Sequence, residues 1–308
     1  MTFNLVLAQS LNGFQFGILL FLMAAGLTLV FGIMSFVNLA HGSLYMLGAY
    51  FAATIASYSG SYVLAVLLAT VCLLVLGWLL DAGGLAILHK RGHLDQVLAT
   101  FGLVLFFNEL VQVIWGNAPM YMDAPDALAG SFSFLDFNYP AYRLVIIAAG
   151  LGVALGLYLL IERTRIGMLI RAGASNRGMV GALGVNINWL NRFVFALGAA
   201  LAGLAGALVG PILSIQSGMG EPILILTLVV IVIGGIGSIR GAFYGALVVG
   251  IVDTMGRVLL PVWLSQTFSP SFSSAVGPAL ASMLVYVLMA VILAIKPDGL
   301  FPVKARGS

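Results

Sequence analysis

Charge is scarce in this chain of 308 residues, of which only 7% are Asp, Glu, Lys or Arg while 62% are hydrophobic. Soluble domains carry roughly 25% charged residues, so this chain lacks the polar side chains that a water-facing surface needs. A soluble globular protein is therefore excluded. The apolar stretches are long enough to be helical spans, which indicates a polytopic membrane protein.

Residues that carry chemistry are also rare. The single cysteine, Cys72, lies within an apolar run, which excludes a disulfide framework and a thiolate metal site. The three histidines are not spaced as a metal site, and no lysine ends a G-x-x-x-x-G-K phosphate loop. We therefore expect no catalytic residue, metal or cofactor in this chain. The net charge of +3 gives no reason to expect a nucleic-acid partner.

The apolar segments predict an all-α helical bundle, a single transmembrane domain over residues 1–308 with about 8–10 transmembrane segments. The segment 222–237 is short for a span of about 20 residues, so we expect it to be broken or only partly inserted. An extra short helix near residues 1–10 would reverse only the side of the N-terminus. The segments are 11–34, 41–58, 62–88, 95–115, 142–161, 189–210, 222–237, 241–261 and 277–295.

The basic residues predict the orientation. If the segments alternate, all of the 13 Lys and Arg residues except Arg143 and Arg257 fall on one side of the membrane. Cytoplasmic loops carry an excess of Lys and Arg, so this pattern predicts an outside N-terminus and a cytoplasmic C-terminus. The opposite side receives the acidic residues Asp123, Asp126, Asp136 and Glu221.

Polar groups inside the spans are candidates for a translocation pathway, because burying them costs free energy unless they are paired or hydrated. Asn38, His41 and Gly42 interrupt the first apolar run and predict an irregular segment, although a capping role would explain them as well. Asn108 and Gln112 share a helix face, and the neighbouring Glu109 could also face solvent. Asp253 and Arg257, four residues apart, are expected to form an intrahelical ion pair.

Glycines recur at intervals of four residues within the spans. This spacing lets helix backbones approach closely in a membrane, so we expect helix packing at these positions. The pairs and triplet concerned are Gly13/Gly17, Gly152/Gly156, Gly206/Gly210 and Gly237/Gly241/Gly245.

The stretch from about 162 to 187 differs from the chain around it, since it holds Glu162 and four arginines in a glycine-punctuated sequence. By itself, it could be an amphipathic interfacial helix or a loop that sets the topology. The charge pattern places it in the cytoplasm.

Nearly the whole chain resembles the permease subunits of ABC importers for branched-chain amino acids. The resemblance rests on "AGLTLVFGIMSFVNLAHGSLYMLGAY" (25–50), "ATFGLVLFFNELVQVIWG" (99–116), "RTRIGMLIRAGASNRGMVGALGVN" (163–186), "VIGGIGSIRGAFYGALVVGI" (232–251) and "KPDGLF" (296–301). The NLAHG form resembles the LivH-type subunit rather than its LivM-type partner. One departure is 80–94, where Asp81 keeps an acidic position but the family's basic-proline element is absent.

The resemblance implies a multi-pass permease of the bacterial inner membrane that binds no ATP itself. Its implied partners are a LivM-type permease subunit, two cytoplasmic ABC ATPase subunits, which use the ATP, and an external amino-acid-binding protein. The stretch 163–186 would couple the permease to the ATPase through Arg163, Thr164, Arg165, Gly167, Arg171, Ala172, Asn176 and Gly184. The pathway candidates are Asn38, His41, Gly42, Thr100, Asn108 and Glu109.

Three other functions are compatible with this composition. A related ABC importer could carry urea, amides or other amino acids. An ion-coupled secondary transporter would work without ATPase partners, but it would need buried carboxylates, which are few within these spans. A channel or scaffold subunit would have no need of a coupling segment.

Overall fold

The computed structural model describes residues 3–89, 91–134, 137–266 and 268–302. Lys90, Asp136, Lys304 and Arg306, which contribute to the charge pattern above, lie outside these ranges. The described chain is largely helical with very little strand, which confirms the all-α class. A π-helical turn (Asp81–Leu85) and the short α4 prolong α3. The helices are α1 (Phe3–Met34), α2 (His41–Ser59), α3 (Tyr62–Leu80), α4 (Ala86–Leu88), α5 (His93–Trp115), α6 (Ala141–Arg163), α7 (Arg165–Ser175), α8 (Arg177–Ala182), α9 (Ile187–Val209), α10 (Gly220–Gly234), α11 (Ile239–Ser265) and α12 (Pro270–Ile295).

Seven helices in the described part of the chain are long and apolar enough to cross a bilayer. Two further helices of the bundle are α2, which is rich in Gly, Ser, Thr and Tyr, and α10, which has only 15 residues. The α1 helix runs without interruption from Phe3 to Met34, so the alternative of a separate helix near residues 1–10 is wrong for its described part. The short α10 confirms that the seventh apolar segment is not a full span.

The connections that carry most of the basic residues lie together at one end of the bundle, named the basic end hereafter. Three contacts between residues in these connections or in the helix turns beside them show this. The Arg177 Nη1 atom donates to the Met34 carbonyl at 3.4 Å, Arg192 lies 4.0 Å from Asp81, and Arg240 lies 3.5 Å from Glu162. The basic end comprises these connections and the helix turns beside them, residues 34–40, 81–89, 91–92, 162–192, 235–240 and 296–302.

The other connections lie at the opposite end, which comprises residues 60–61, 116–134, 137–140, 210–219, 266 and 268–269. Met120 and Ile215 form an antiparallel bridge there. A small hairpin that the sequence did not predict, β1 (Ser131–Phe134) and β2 (Phe137–Pro140), lies in the longest of these connections. The Tyr139 hydroxyl in β2 donates to the Asn12 side-chain oxygen at 3.1 Å and ties this hairpin to α1.

Glycines allow α1 and α11 to pack backbone to backbone. A Cβ on Gly13 would lie 2.8 Å from Ile251 Cα, and one on Gly17 would lie 2.9 Å from the Ala246 carbonyl. These positions confirm the packing predicted from glycine spacing. The same prediction is wrong for Gly152 and Gly156 of α6, which face open space in this chain.

Candidate functional site

The α2 helix begins inside the bundle. The Nε2 atom of His41, its first residue, donates to the Met23 carbonyl at 3.1 Å, and a Cβ on Gly26 would lie 3.0 Å from His41 Cε1. Gly26 comes two turns before the end of α1, about 12 Å at 1.5 Å per residue. The connection 35–40 therefore folds back along α1 before α2 starts, which confirms the irregular segment predicted around Asn38 and His41.

Unpartnered polar atoms surround the start of α2. Asn38 is only 2% exposed and His41 only 1%. Three side-chain atoms have no hydrogen-bond partner among the described residues, namely both amide atoms of Asn38 and the Nδ1 atom of His41. An unsatisfied buried polar group costs about 1–3 kcal/mol, so water or a polar solute would be stabilised beside these side chains.

The α10 helix also begins inside the bundle and meets α2 there. The backbones of Gly42 and Gly220 are so close that a Cβ on either residue would overlap the other's carbonyl group. The N-terminal end of a helix carries a partial positive charge, so two such ends meet at this junction. Transporters commonly place substrate beside interrupted helices of this kind, and Gly42, a predicted pathway residue, lies at the contact.

The connection between α1 and α2 is held by α5. The Thr100 hydroxyl accepts a hydrogen bond from the Leu39 backbone N–H at 3.2 Å and donates to the Gln96 carbonyl at 2.8 Å. The Gln96 side-chain oxygen accepts from the Val37 N–H at 3.2 Å. Both polar functions of Thr100, a predicted pathway residue, are thus used within the protein. Gln96 was missed, although its spacing of four residues from Thr100 places it on the same helix face.

Asn108 and Glu109 lie apart although they are adjacent in sequence. The Asn108 amide donates to the Glu221 carboxylate at 2.6 Å. Gln112, one turn further along α5, donates to the Ser217 hydroxyl at 3.3 Å. Glu109 is exposed on another face of α5. The structure therefore groups Asn108 and Gln112 with the start of α10, and it leaves Glu109 outside this group.

The predicted coupling stretch begins with a tight corner between α6 and α7. Thr164 separates the two helices, and its hydroxyl accepts from the Gly167 N–H at 3.0 Å as an N-cap. Gly167 is buried, and a Cβ there would overlap the Leu160 and Ile161 carbonyls. The corner therefore requires glycine at position 167.

The stretch continues as two short helices that lie across the basic end. Asn176 caps α8 by accepting from the Met179 N–H at 3.0 Å, and its own N–H donates to the Ala172 carbonyl at 2.9 Å. Gly184 has a φ of +86° just beyond α8, which favours glycine at a helix end. These contacts assign structural positions to Ala172, Asn176 and Gly184, which the sequence had named for coupling.

One side of this stretch packs on the bundle. Gly173 of α7 lies against Leu190 of α9 and Ile33 of α1. Arg177 contacts the last turn of α1 through the Met34 carbonyl, and burial lowers its pKa from the ordinary value. A displacement of α7 and α8 would therefore act directly on the last turn of α1 and the first turn of α9.

The other side presents cations and apolar side chains to the exterior. Arg171 is paired with Glu162 at 3.8 Å, with both side chains substantially exposed. Such exposed pairs contribute little to stability. Residues of both kinds are exposed between 163 and 183, and these are Arg163, Arg165, Met168, Arg171, Met179 and Leu183.

Asp81 forms a buried charged cluster at the basic end, although the sequence assigned no role to it. Its carboxylate is 1% exposed and lies 2.9 Å from His89 Nε2 and 4.0 Å from Arg192 Nε. The Phe36 ring, in the connection between α1 and α2, packs edge-on against His89 with 5.3 Å between ring centroids. This cluster joins α3, α9 and that connection.

Comparisons with known proteins agree with a permease. Residues 10–293 match a family described as "Branched-chain amino acid transport system / permease component". The branched-chain amino acid permease protein BraD of Pseudomonas aeruginosa is 31% identical over 81% of this chain and 86% of its own length. LivH of Escherichia coli is 26% identical over 82% and 87%, respectively. The ribose import permease protein RbsC of Escherichia coli is 27% identical over 82% and 76%.

No solved structure matches this chain. The family match covers most of the sequence, and seven described helices could span a membrane. The residues quoted above for the resemblance, such as the NLAHG segment at 38–42, fall within the matched region. The chain is a multi-pass membrane protein that belongs to the family of permease components of branched-chain amino acid transport systems.

Proposed function

We propose that this chain is the membrane permease subunit of an ABC importer that takes up leucine, isoleucine, valine or related amino acids. The observation that carries the proposal is the family match over residues 10–293. The relatives named for high-affinity branched-chain amino acid transport support the same substrate class. The chain itself would catalyse no reaction, and ATP would be used by partner subunits.

The basic end would face the cytoplasm and the N-terminus would lie outside. Positive charge concentrates in cytoplasmic loops, and seven of the chain's ten arginines lie in the connections of the basic end or in the helix turns beside them. An external binding protein would deliver the amino acid to the opposite end. The permease would act as a dimer, with a LivM-type chain as the second subunit.

Residues 163–186 would form the contact with the ATPase. Arginine makes bidentate contacts with carboxylates, and Arg163, Arg165 and Arg171 are exposed beside the apolar Met168 and Met179. ATP binding would favour one of two permease conformations through this contact, because a ligand shifts an equilibrium only by binding the two states differently. Packing of α7 and α8 on α1 and α9 gives such a shift a route into the bundle.

Charge reversal at Arg171 tests this assignment in the assembled transporter, reconstituted with its ATPases and binding protein. We expect Arg171→Glu to assemble normally but to reduce leucine uptake per ATP hydrolysed by about tenfold, which corresponds to roughly 1.4 kcal/mol. Arg91→Glu is the matched control, because it reverses an exposed charge at the same end but outside residues 163–186. Normal coupling in Arg171→Glu would overturn the docking role.

Glu162 requires a second variant, because it pairs with Arg171. The exchange Glu162→Arg with Arg171→Glu keeps an opposite-charge pair between these two positions but reverses the charge offered to a partner. Glu162 also lies 3.5 Å from Arg240, so Glu162→Gln measures the loss of its pairs by itself. If Arg171 acts by docking, the double variant stays uncoupled. Restored coupling would assign Arg171 a purely internal role. Leucine uptake into liposomes by the chain without ATPases would instead support a secondary transporter.

A further inference from the structure

A cavity of about 430 Å³ extends from the opposite end of the bundle to its middle, between α1, α6, α10 and α11. Its volume is in the range of small-molecule sites, roughly 300–1,000 Å³. Both polar and apolar side chains line it. The polar side chains of α1, α6 and α11 lie in the outer part, whereas the deeper lining is apolar apart from Tyr45; Ile212, Leu213 and Val258 add apolar surface to the outer part.

Opposite charges line the outer part of the cavity. Arg257 contacts the Asp253 carboxylate with two N–H groups, at 2.8 and 2.9 Å, which confirms the ion pair predicted from spacing. The Asp253 side chain is 6% exposed and that of Arg257 is 51% exposed. Arg143 donates a hydrogen bond to Asn12 at 2.5 Å and also hydrogen-bonds the Tyr139 side chain. A guanidinium has five N–H donors, so both arginines keep donors for an anionic group.

Gln15 offers polar atoms to the cavity. It is only 4% exposed and lines the cavity. Its side-chain amide makes no hydrogen bond to another described residue, so its donor and acceptor are available to a molecule in the cavity. An amide both donates and accepts, so Gln15 can bind either the ammonium or the carboxylate of a ligand.

The inner part of the cavity is apolar and ends beside the junction of α2 and α10. Its lining there includes Leu19, Leu20, Tyr45 and Ile223. Tyr45 follows His41, and Ile223 follows Gly220, by about one helical turn. The cavity therefore ends next to the place where the glycines of the two helix starts meet.

We propose that this cavity is a subsite for the zwitterion of an α-amino acid that has an apolar side chain. The ligand's carboxylate would contact Arg143 and Arg257, its ammonium would lie near Asp253 and the Gln15 carbonyl oxygen, and its side chain would point towards Leu20 and Ile223. The buried carboxylate of Asp253 disfavours a purely anionic ligand. The inference rests on the proposed amino-acid import and adds a site to it.

Cysteine protection in the assembled transporter tests the site. Because Cys72 is the single cysteine of this chain, Cys72→Ser gives a background in which Gln15→Cys is the one thiol of this chain, and its labelling with a thiol reagent is read on the separated permease band. We expect leucine to slow labelling at least about fivefold. We expect no protection by 4-methylpentanoate, which lacks the ammonium group, or by 3-methylbutylamine, which lacks the carboxylate. Ser271→Cys, exposed at the start of α12, is the control, and its labelling should not respond to leucine.

Binding of radiolabelled leucine to the detergent-purified assembly gives an independent measurement. Gln15→Leu keeps the size of the side chain and removes its polar atoms, and we expect it to weaken binding about tenfold. A site that bound a lipid headgroup would be protected by added phospholipid and not by leucine, which would overturn the proposal. Equal protection by leucine and 4-methylpentanoate would overturn the zwitterion assignment.

Uptake by the wild-type assembly separates this inference from the proposed function. Suppose that the wild type imports leucine, that Gln15→Leu and Gln15→Cys import it equally well, and that leucine does not protect Gln15→Cys from labelling. Amino-acid import then stands and the cavity assignment fails. If leucine and the other apolar amino acids are neither imported nor bound, both fail. Protection and weakened binding at Gln15 together support the subsite.

Discussion

Gly42 at the start of α2 and Gly220 at the start of α10 lie back to back, each occupying the space that a side chain on the other would need. Both helices begin inside the bundle, so this contact separates the cavity from the basic end of the bundle. Two helix starts can meet so closely only where neither residue has a Cβ atom. A substitution at either glycine is therefore the most direct way to disturb the centre of the bundle.

We expect Gly220→Ala to lower stability by about 1–3 kcal/mol, the usual cost of overpacking, and to reduce uptake. The added methyl group must displace the Gly42 backbone, which has no flexible side chain to move. Thermal unfolding of the purified protein in detergent measures the first effect. Gly152→Ala is the control, because that position is helical and faces open space. Equal melting temperatures for the two variants would contradict the close contact.

Gly167→Ala should disturb the corner between α6 and α7. A methyl group there overlaps the Leu160 and Ile161 carbonyls, so the start of α7 must move away from α6. We expect ATPase stimulation by the loaded binding protein to fall several-fold and stability to drop by about 1–3 kcal/mol. Gly178→Ala in α8 has only an ordinary contact, 3.5 Å from the Asn176 side chain, and should retain stimulation. A normal Gly167→Ala variant would show that α7 tolerates displacement.

Thr100→Val should loosen the connection between α1 and α2. Valine has nearly the same shape but cannot accept the hydrogen bond from the Leu39 N–H, and leaving a buried N–H unpaired costs about 1–3 kcal/mol. Hydrogen exchange should become faster in residues 35–40. Thr70→Val is the matched control, because the Thr70 hydroxyl bonds only the Val66 carbonyl of its own helix. Unchanged exchange in Thr100→Val would show that Gln96 alone holds the connection.

Asp81→Asn should be the most destabilising polar change at the basic end. Removing one member of a buried ion pair costs about 3–5 kcal/mol because the partner charge stays buried. Arg192 is 36% exposed and can reach water, so we expect the lower part of that range. Asp95→Asn, at an exposed position in the first turn of α5, should change stability by less than about 0.5 kcal/mol. The melting temperatures of the two variants test this prediction. Equal melting temperatures for Asp81→Asn and Asp95→Asn would contradict it.

Local spacing predicted the features that depend on one helix. Apolar length predicted the helices because a bilayer demands long apolar segments, and the short α10 followed from the same argument. The Asp253–Arg257 pair followed from a spacing of four residues, since both partners lie on one helix face. These interactions need no knowledge of how the helices are arranged.

Contacts between distant segments could not be predicted in this way. Asn108 meets Glu221 across 113 positions of sequence, and helical periodicity gives the face of a residue but not the neighbour that the face meets. The four-residue glycine spacing has the same weakness, because it is identical at Gly13 and Gly17, which pack on α11, and at Gly152 and Gly156, which do not. The cavity around Gln15 arises only when α1, α6, α10 and α11 come together.

The uninterrupted α1 helix has a mechanical consequence. Its 32 residues span about 48 Å as a single stiff rod, touched by Arg177 at the Met34 carbonyl and bordering the cavity at Gln15. Because no proline or break lies between these points, a tilt imposed at Met34 must be accompanied by a swing at Gln15. Work done by an ATPase at one face could thus reshape an amino-acid subsite at the other without passing through any loop.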